Sequence, residues 1–180
     1  MSKRRARMII LCEDQQQEVF ARYFFMNRGF EPRDIRVNRC PKGRQAGEQY
    51  VREQFPMEVQ TCRSKSAYQA LVLAVIIDAD NYSVADRVHQ LETILVDHSL
   101  QRRSVDEHIA LFIPRRNIET WIHYLKSGDP VDEDTNYPKL ANPGDCKPYV
   151  RQLSDSCRSG LREDAPPSLV YACEELQRAI

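Results

Sequence analysis

One stretch constrains the fold of this chain more than any other: the apolar run from Ala70 to Ile77, which ends in Asp78 and Asp80. A short run that is rich in β-branched residues and lacks polar alternation is typical of a strand buried on both faces, as in a parallel sheet. Side chains two residues apart on a strand share a side, so the two carboxylates can face the same way. Like charges at that spacing repel each other, and a divalent cation would relieve the repulsion.

A plainer interpretation of the same residues stays open. Asp80 and Asn81 can form the turn that enters the next helix, and Asp78 can simply end a strand, because acidic residues are common in turns. The run by itself does not decide between a metal site and a helix-entry turn. The decision depends on which other residues the fold brings to the same place.

The rest of the chain alternates between short apolar runs and amphipathic segments. The predicted strands cover residues 8–12, 35–38, 70–77 and 109–113, and the predicted helices cover residues 15–27, 48–55, 84–96, 118–125, 147–157 and 168–179. Ser83 is predicted to cap the third helix, with Asp86 in the capping-box position. This alternation of strands and helices predicts an α/β fold with a mostly parallel central sheet.

Length and charge set the scale of the protein. A chain of 180 residues is one ordinary domain with room for an appendage, and we divide it into a main domain, residues 1–126, and a helical extension packed on it, residues 127–180. Lys and Arg together number 26, as do Asp and Glu, so net charge indicates no partner class. The charges are unevenly distributed, since the first seven residues contain Lys3, Arg4, Arg5 and Arg7 and no acidic residue.

The cysteines and the apolar segments bear on the compartment. The six cysteines include no CxxC pair, so neither zinc-ligand spacing nor a compact disulfide framework is visible. Cys12 and Cys173 lie in apolar segments, where a thiol acts as a small hydrophobic side chain. No segment reaches the roughly 18 apolar residues of a transmembrane helix, and the run from Met8 to Cys12 is too short for a signal peptide. We therefore expect a cytoplasmic protein with no membrane partner.

Acidic residues follow three of the four predicted strands. Glu13 comes directly after the first strand, Asp78 and Asp80 end the third, and Glu119 stands one turn into the helix after the fourth. In open α/β sheets the working site lies at the carboxyl ends of the strands, so we expect these carboxylates to approach one another there. For Glu119 a surface pair with His123, four residues later on the same helix, is the alternative.

Two groups of cations stand near the same strand ends. Lys42 and Arg44 lie in a glycine-containing loop that opens a helix, and Arg115 and Arg116 follow the fourth strand. Backbone amides at a helix start, with cations beside them, favour phosphate, so we expect these four residues to bind phosphate or a nucleic-acid backbone. The loop is not a Walker A motif, and a flexible surface connection is the alternative for it.

The order of elements, with Cys12-Glu13-Asp14 after the first strand and Ile77-Asp78-Ala79-Asp80 after the third, resembles the Toprim fold. Toprim domains occur in topoisomerases, primases, recombination proteins and OLD-type nucleases. The resemblance covers about residues 8–125 and is closest to small stand-alone Toprim proteins of bacterial phage-defence loci. It implies a Toprim-like Rossmannoid three-layer α/β sandwich with a small helical C-terminal extension. The chain departs from the family where many members have glycine, at Asp14 and soon after Asp80.

The resemblance also implies a function. Glu13, Asp78 and Asp80 match the family's metal ligands for Mg²⁺ or Mn²⁺, and these three with Glu119 form the predicted catalytic set. The implied activity is metal-dependent nuclease cleavage of DNA or RNA, as the effector of an ATPase-associated antiviral defence complex. The implied partners are nucleic acid and an ATPase or other defence-complex subunit. Whether the chain also forms homo-oligomers stays open.

Two alternatives remain at this point. The first is a catalytically inactive Toprim module that binds nucleic acid or a partner ATPase, which the departures from the family pattern allow. The second is a phosphatase or nucleotide-processing enzyme on a related sheet, with Asp78 as nucleophile and Asp80 as acid.

Overall fold

The fold is known from a computed structural model that describes residues 6–180, so the basic cluster Lys3, Arg4 and Arg5 lies outside the described residues. The strands are β1 (Arg7–Cys12), β2 (Ile35–Arg39), β3 (Leu71–Ile76) and β4 (Ile109–Phe112). The helices are α1 (Gln15–Asn27), α2 (Gly47–Lys65), α3 (Val84–Asp97), α4 (Ile118–Ser127), α5 (Lys147–Ser159) and α6 (Pro167–Ala179). Two 3-10 turns, Pro32–Asp34 and Pro143–Cys146, precede β2 and α5.

All four strands are parallel, in the order β2-β1-β3-β4. The register pairs Leu11 of β1 with Val75 of β3, and Ile76 of β3 with Phe112 of β4. The predicted α/β fold with a mostly parallel sheet is therefore confirmed. The two inner strands, β1 and β3, carry the longest apolar runs because helices cover both of their faces.

The helices form a layer on each side of the sheet. Alternate residues of β3 point to opposite faces, so Val72 and Ile76 pack in the core with α1, α4, α5 and α6, whereas Leu73 and Val75 pack with α2 and α3. The last two helices share the core of α1 and α4. Across residues 6–180, no helix combines the length and apolar character needed to cross a membrane.

Helix α2 is longer than predicted. The sequence suggested a helix over residues 48–55 and a connection from Pro56 to Ser66, but the helix runs unbroken to Lys65 with Pro56 inside it. Proline removes one backbone hydrogen bond from a helix interior. The helix continues because Val51, Phe55 and Val59 extend one apolar stripe on both sides of the proline, and this stripe is buried on the sheet.

The C-terminal helices contain a cross-link that the sequence did not indicate. Cys157 of α5 and Cys173 of α6 form a disulfide, with their Cα atoms 5.3 Å apart. The prediction that Cys173 acts as a free apolar thiol was wrong. The two cysteines are 16 residues apart, and only the packing of α5 against α6 brings them together. Cys12 is a buried free thiol, as predicted.

Candidate active site

The acidic residues Glu13 and Asp78 meet at the point where the direction of the sheet reverses. Chain connections leave β1 toward one edge of the sheet and β3 toward the other, so a crevice opens outside the carboxyl ends of these two neighbouring strands. Glu13 follows β1 at once, and Asp78 stands two residues beyond β3. The Glu13 carboxylate accepts a hydrogen bond from the backbone N–H of Asp78 over 2.5 Å. The topology thus joins two residues that are 65 positions apart.

A glutamine holds this pair together. The side-chain amide of Gln17 donates to Asp78 Oδ1 over 3.0 Å and to Glu13 Oε1 over 3.4 Å, and its oxygen accepts from the backbone N–H of Glu13. Gln17 is completely buried in the first turn of α1. Its helix is fixed there because the Asp14 carboxylate caps it by accepting from the backbone N–H of Gln17. The amide nitrogen therefore contacts both carboxyl groups, and the amide oxygen is bound to the Glu13 backbone.

The surroundings of Glu13 and Asp78 favour the protonated form of both carboxyl groups. Burial, opposed in part by the hydrogen bond from the Asp78 backbone, raises the pKa of Glu13 to about 7. Burial also raises the pKa of Asp78, which is 9 % exposed, and the negative charges of Glu13 and Glu119 raise it further. Strongly raised carboxyl pKa values in a crevice are typical of functional sites.

Asp80 lies beside a buried arginine. Its carboxylate lies 3.3 Å from Nη2 of Arg87, although its charge is near enough to raise the pKa of Glu13. Arg87 is 1 % exposed, and its guanidinium also donates to the backbone oxygen of Asp78 and to the carboxylate of Glu48. Burial raises the pKa of Asp80, and the charge of Arg87 opposes that rise. Arg87 thus anchors the whole turn after β3.

Glu119 is buried near the pair and not on the surface. Burial raises its pKa, and its charge in turn raises the pKa of Asp78. Its alternative partner, His123, is exposed and stacks on Tyr137, with ring centres 4.2 Å apart. Glu119 therefore contributes to the negative field of the crevice from the α4 side.

The four predicted phosphate-binding cations fall into two groups. Arg115 pairs with Asp134 over 2.6 Å and donates to the backbone oxygens of Asp80 and Tyr82. Arg116 donates to Asn81 Oδ1 over 2.6 Å and to the backbone oxygen of Asp134. Both therefore border the turn after β3. Lys42 and Arg44 are exposed in the loop before α2, and neither side chain has an ion pair within residues 6–180.

The turn after β3 and the loop after β4 are built together. Asp80 and Arg116 both adopt left-handed backbone conformations, with φ of 53° and 65°, and the N–H of Asp80 donates to the backbone oxygen of Arg116. Residues other than glycine adopt this conformation rarely, and such strain concentrates at functional sites. The carboxyl edge of the sheet thus carries two linked strained residues beside the carboxylate pair.

A cleft opens beside Asp80 at the same edge. It has a volume of about 450 Å³ and is lined by Glu48, Asp80, Asn81, Tyr82, Arg87, Arg116, Asn117 and Asn136. These residues come from the turn after β3, the loop after β4, the starts of α2 and α3, and the loop that follows α4. A larger molecule could therefore approach the carboxylate pair from the side of the cleft.

Metal binding can be judged from the donors that are present. Glu13 and Asp78 offer oxygen ligands, and Mg²⁺ takes only one or two carboxylates with waters and substrate phosphate, so the pair suits that ion. A bound cation would also offset the burial and the nearby negative charges that raise both pKa values. The described part of the chain contains no group of three or more acidic, histidine or cysteine side chains arranged to hold a metal. The pair fits Mg²⁺, and the predicted third ligand Asp80 is turned to Arg87.

Three functional residues escaped the sequence analysis. Gln17 looked like one polar position of α1, and Arg87 like one of α3, because their partners are distant in sequence. Gly47 opens α2 against Glu13, and a Cβ atom there would lie 2.7 Å from the Glu13 Cβ. A glycine at a helix start is a weak signal, because loops that open helices commonly contain glycine.

The chain was compared with protein-family models, with curated proteins and with solved structures, and no match was found in any of the three.

Proposed function

We propose that this protein is a Mg²⁺-dependent nuclease of the Toprim type, which hydrolyses phosphodiester bonds of DNA or RNA at the crevice between β1 and β3. The observation that carries the proposal is the Glu13–Asp78 pair. The two carboxyl groups are buried together, and in residues 6–180 no cationic side chain forms an ion pair with either of them. A site of this kind gains most from a divalent cation, since charge neutralisation is what it lacks.

The side chains have separate roles in this proposal. Glu13 and Asp78 would hold Mg²⁺ or Mn²⁺, which when bound neutralises phosphate charge and lowers the pKa of a bound water. Gln17 orients both carboxylates, and Asp80 and Glu119 add negative field around them. Arg116 and Arg115 lie where they can contact the phosphates next to the cleaved bond.

The remaining elements of the proposal concern partners and compartment. Nucleic acid is the substrate class, and Lys42 and Arg44 extend the basic border of the crevice toward the start of α2. A partner ATPase, or another subunit of an antiviral defence complex, is the proposed regulator. The proposed compartment is the cytoplasm, where both nucleic acid and an ATPase are available.

A second candidate is a binding module without catalytic activity. One observation favours it: the described residues assemble two carboxylates and not three around the predicted metal position. In that case the protein would bind nucleic acid or an ATPase through the same edge of the sheet. The phosphatase alternative is weaker, because burial raises the pKa of Asp78 and so favours its protonated form, which is not a nucleophile.

A cleavage assay separates these candidates. Purified protein is incubated with plasmid DNA, linear duplex, single-stranded DNA and RNA in the presence of Mg²⁺, Mn²⁺ or EDTA, with and without the ATPase encoded beside it, where there is one. We expect metal-dependent cleavage that falls at least about 1,000-fold in Asp78→Asn, since that change removes one of two ligands. Binding without cleavage under every metal would favour the binding module.

The control variant is Asp106→Asn. Asp106 is an exposed carboxylate just before β4. It therefore lies at the amino-terminal end of the strands, away from the crevice. It removes the same charge from the protein without touching the crevice. Equal loss of cleavage in Asp106→Asn and Asp78→Asn would contradict the proposal.

A further inference from the structure

Tyr82 forms a fixed aromatic surface in the cleft beside Asp80. The residue is 51 % exposed. The buried guanidinium of Arg87 lies 4.9 Å from the ring centre and supports one side of it. The backbone is held at both ends, because the Tyr82 N–H donates to Ala79 and the carbonyl accepts from Arg115. The ring is therefore positioned in advance for a flat ligand.

Arg116 keeps its positive charge available at the same cleft. Its two hydrogen bonds go to neutral oxygens, those of the Asn81 side chain and the Asp134 backbone. Within residues 6–180 no carboxylate lies within ion-pair distance of it, in contrast to Arg115, which pairs with Asp134. A guanidinium with free donors and no carboxylate partner suits a phosphate group.

Side-chain amides complete the lining. Asn81, Asn117 and Asn136 all border the cleft. Asn81 accepts from Arg116 and Asn117 from Thr120, which leaves the NH₂ groups of both without a partner among the described residues. An amide presents donor and acceptor together, which is the combination that pairs with the edge of a nucleobase.

We propose that this cleft binds one unpaired nucleotide of a single-stranded nucleic acid, with its base against Tyr82, its base edge at the asparagines and its phosphate on Arg116. The volume of about 450 Å³ lies in the ordinary range for small-ligand sites, about 300 to 1,000 Å³. The inference rests on the proposed function in that it names the substrate class, single strands or unpaired ends, for the neighbouring carboxylate pair.

Binding is tested without cleavage. A fluorescein-labelled 12-nucleotide single strand, as DNA and as RNA, is titrated with the full chain in EDTA, and anisotropy gives the Kd. We expect Tyr82→Ala to weaken binding about 5- to 150-fold, the usual range for loss of one base stack. Tyr82→Trp should restore it. Arg116→Gln should lower the salt slope of log Kd by about 1.

Tyr68→Ala is the matched control. Tyr68 is 62 % exposed, but it precedes β3 and so lies at the amino-terminal end of the strands, away from the cleft. Unchanged binding in Tyr82→Ala, an equal loss in Tyr68→Ala, or no binding of either single strand by the wild-type chain would each overturn the inference. None of these outcomes bears on cleavage of duplex by the Glu13–Asp78 pair, which the cleavage assay tests separately. Conversely, Tyr82-dependent binding without cleavage supports the inference and contradicts the nuclease.

Discussion

Two buried acidic centres in this protein have opposite electrostatic states. One is the Glu13–Asp78 pair at the carboxyl edge of the sheet. The other is Glu175 of α6, which is 8 % exposed and packs against β4. Arg103 and Arg178 both pair with Glu175, and the backbone N–H of Leu111 donates to it over 2.8 Å. Glu175 is thus paired with two guanidinium groups, whereas the donors to the Glu13–Asp78 pair are neutral amides.

The pKa values follow these surroundings. Burial raises the pKa of Glu175, but the hydrogen bonds and charges of Arg178 and Arg103 outweigh it, so the pKa ends below its usual value. For Glu13 and Asp78 burial prevails, and both pKa values end above theirs. Both centres remove carboxyl groups from water, but only one supplies the cations that compensate. We infer that Glu175 fastens α6 to the sheet, while the pair remains ready for an external cation.

The largest expected effect is at the compensated centre. Glu175→Gln leaves the buried guanidinium of Arg103 with one carboxylate partner fewer, so we expect the free energy of unfolding to fall by about 3 kcal/mol. Urea unfolding at pH 8 in EDTA measures it. Glu174→Gln, at the exposed neighbouring position, should change stability by less than about 0.5 kcal/mol. Similar losses in both variants would mean that the ion-pair cluster contributes little.

The next effect concerns the position of the pair. In Gly47→Ala the new methyl group would meet the Cβ of Glu13 at 2.7 Å, so Glu13 or α2 must shift. We expect a loss of about 2 kcal/mol in stability, as in other overpacked sites. Gly144→Ala is the control, since its Cβ would have no contact closer than 3.5 Å. If Gly47→Ala were as stable and as active as Gly144→Ala, close packing at Glu13 would be unimportant.

A smaller effect of opposite sign is expected within the pair. Asp78→Asn replaces a buried carboxyl group of raised pKa by a neutral group of the same shape that Gln17 can still contact. At pH 8 in EDTA we expect it to stabilise the fold by about 1 to 2 kcal/mol, because the cost of burying an unpaired carboxylate is removed. A clear destabilisation would show that the wild-type carboxylate is well compensated, as Glu175 is.

The last expected effect is the pH dependence of stability. Because the folded-state pKa of Glu13 is about 7, above its ordinary value of 4.5, the folded state binds more protons between these values. The contribution of Glu13 to the free energy of unfolding should therefore be greatest below about pH 4.5. It should decline by up to about 1.4 kcal/mol per pH unit until about pH 7. Unfolding at a series of pH values in wild type and Glu13→Gln isolates this contribution. The decline should be weaker in the variant.

The sequence was sufficient for most of the fold and for part of the site. Buried strands and amphipathic helices have strong local patterns, so the four strands and six helices could be predicted. The end of α2 could not, because the stripe from Val51 to Val59 overrides Pro56. The meeting of Glu13 with Asp78 followed from strand order. The contacts of Gln17 with both carboxyl groups and of Asp80 with Arg87 depend on the directions of side chains at helix starts. A local sequence pattern does not predict those directions.

The most direct test of the central claim is calorimetric titration of Mn²⁺ into the wild-type chain at pH 7, in two buffers of different ionisation enthalpy. If the buried pair shares a proton that a cation displaces, one Mn²⁺ should bind with release of up to one proton. Asp78→Asn should abolish that binding, and Asp106→Asn should retain it. Absence of binding to the wild-type chain, or binding that Asp78→Asn leaves unchanged, would contradict the account.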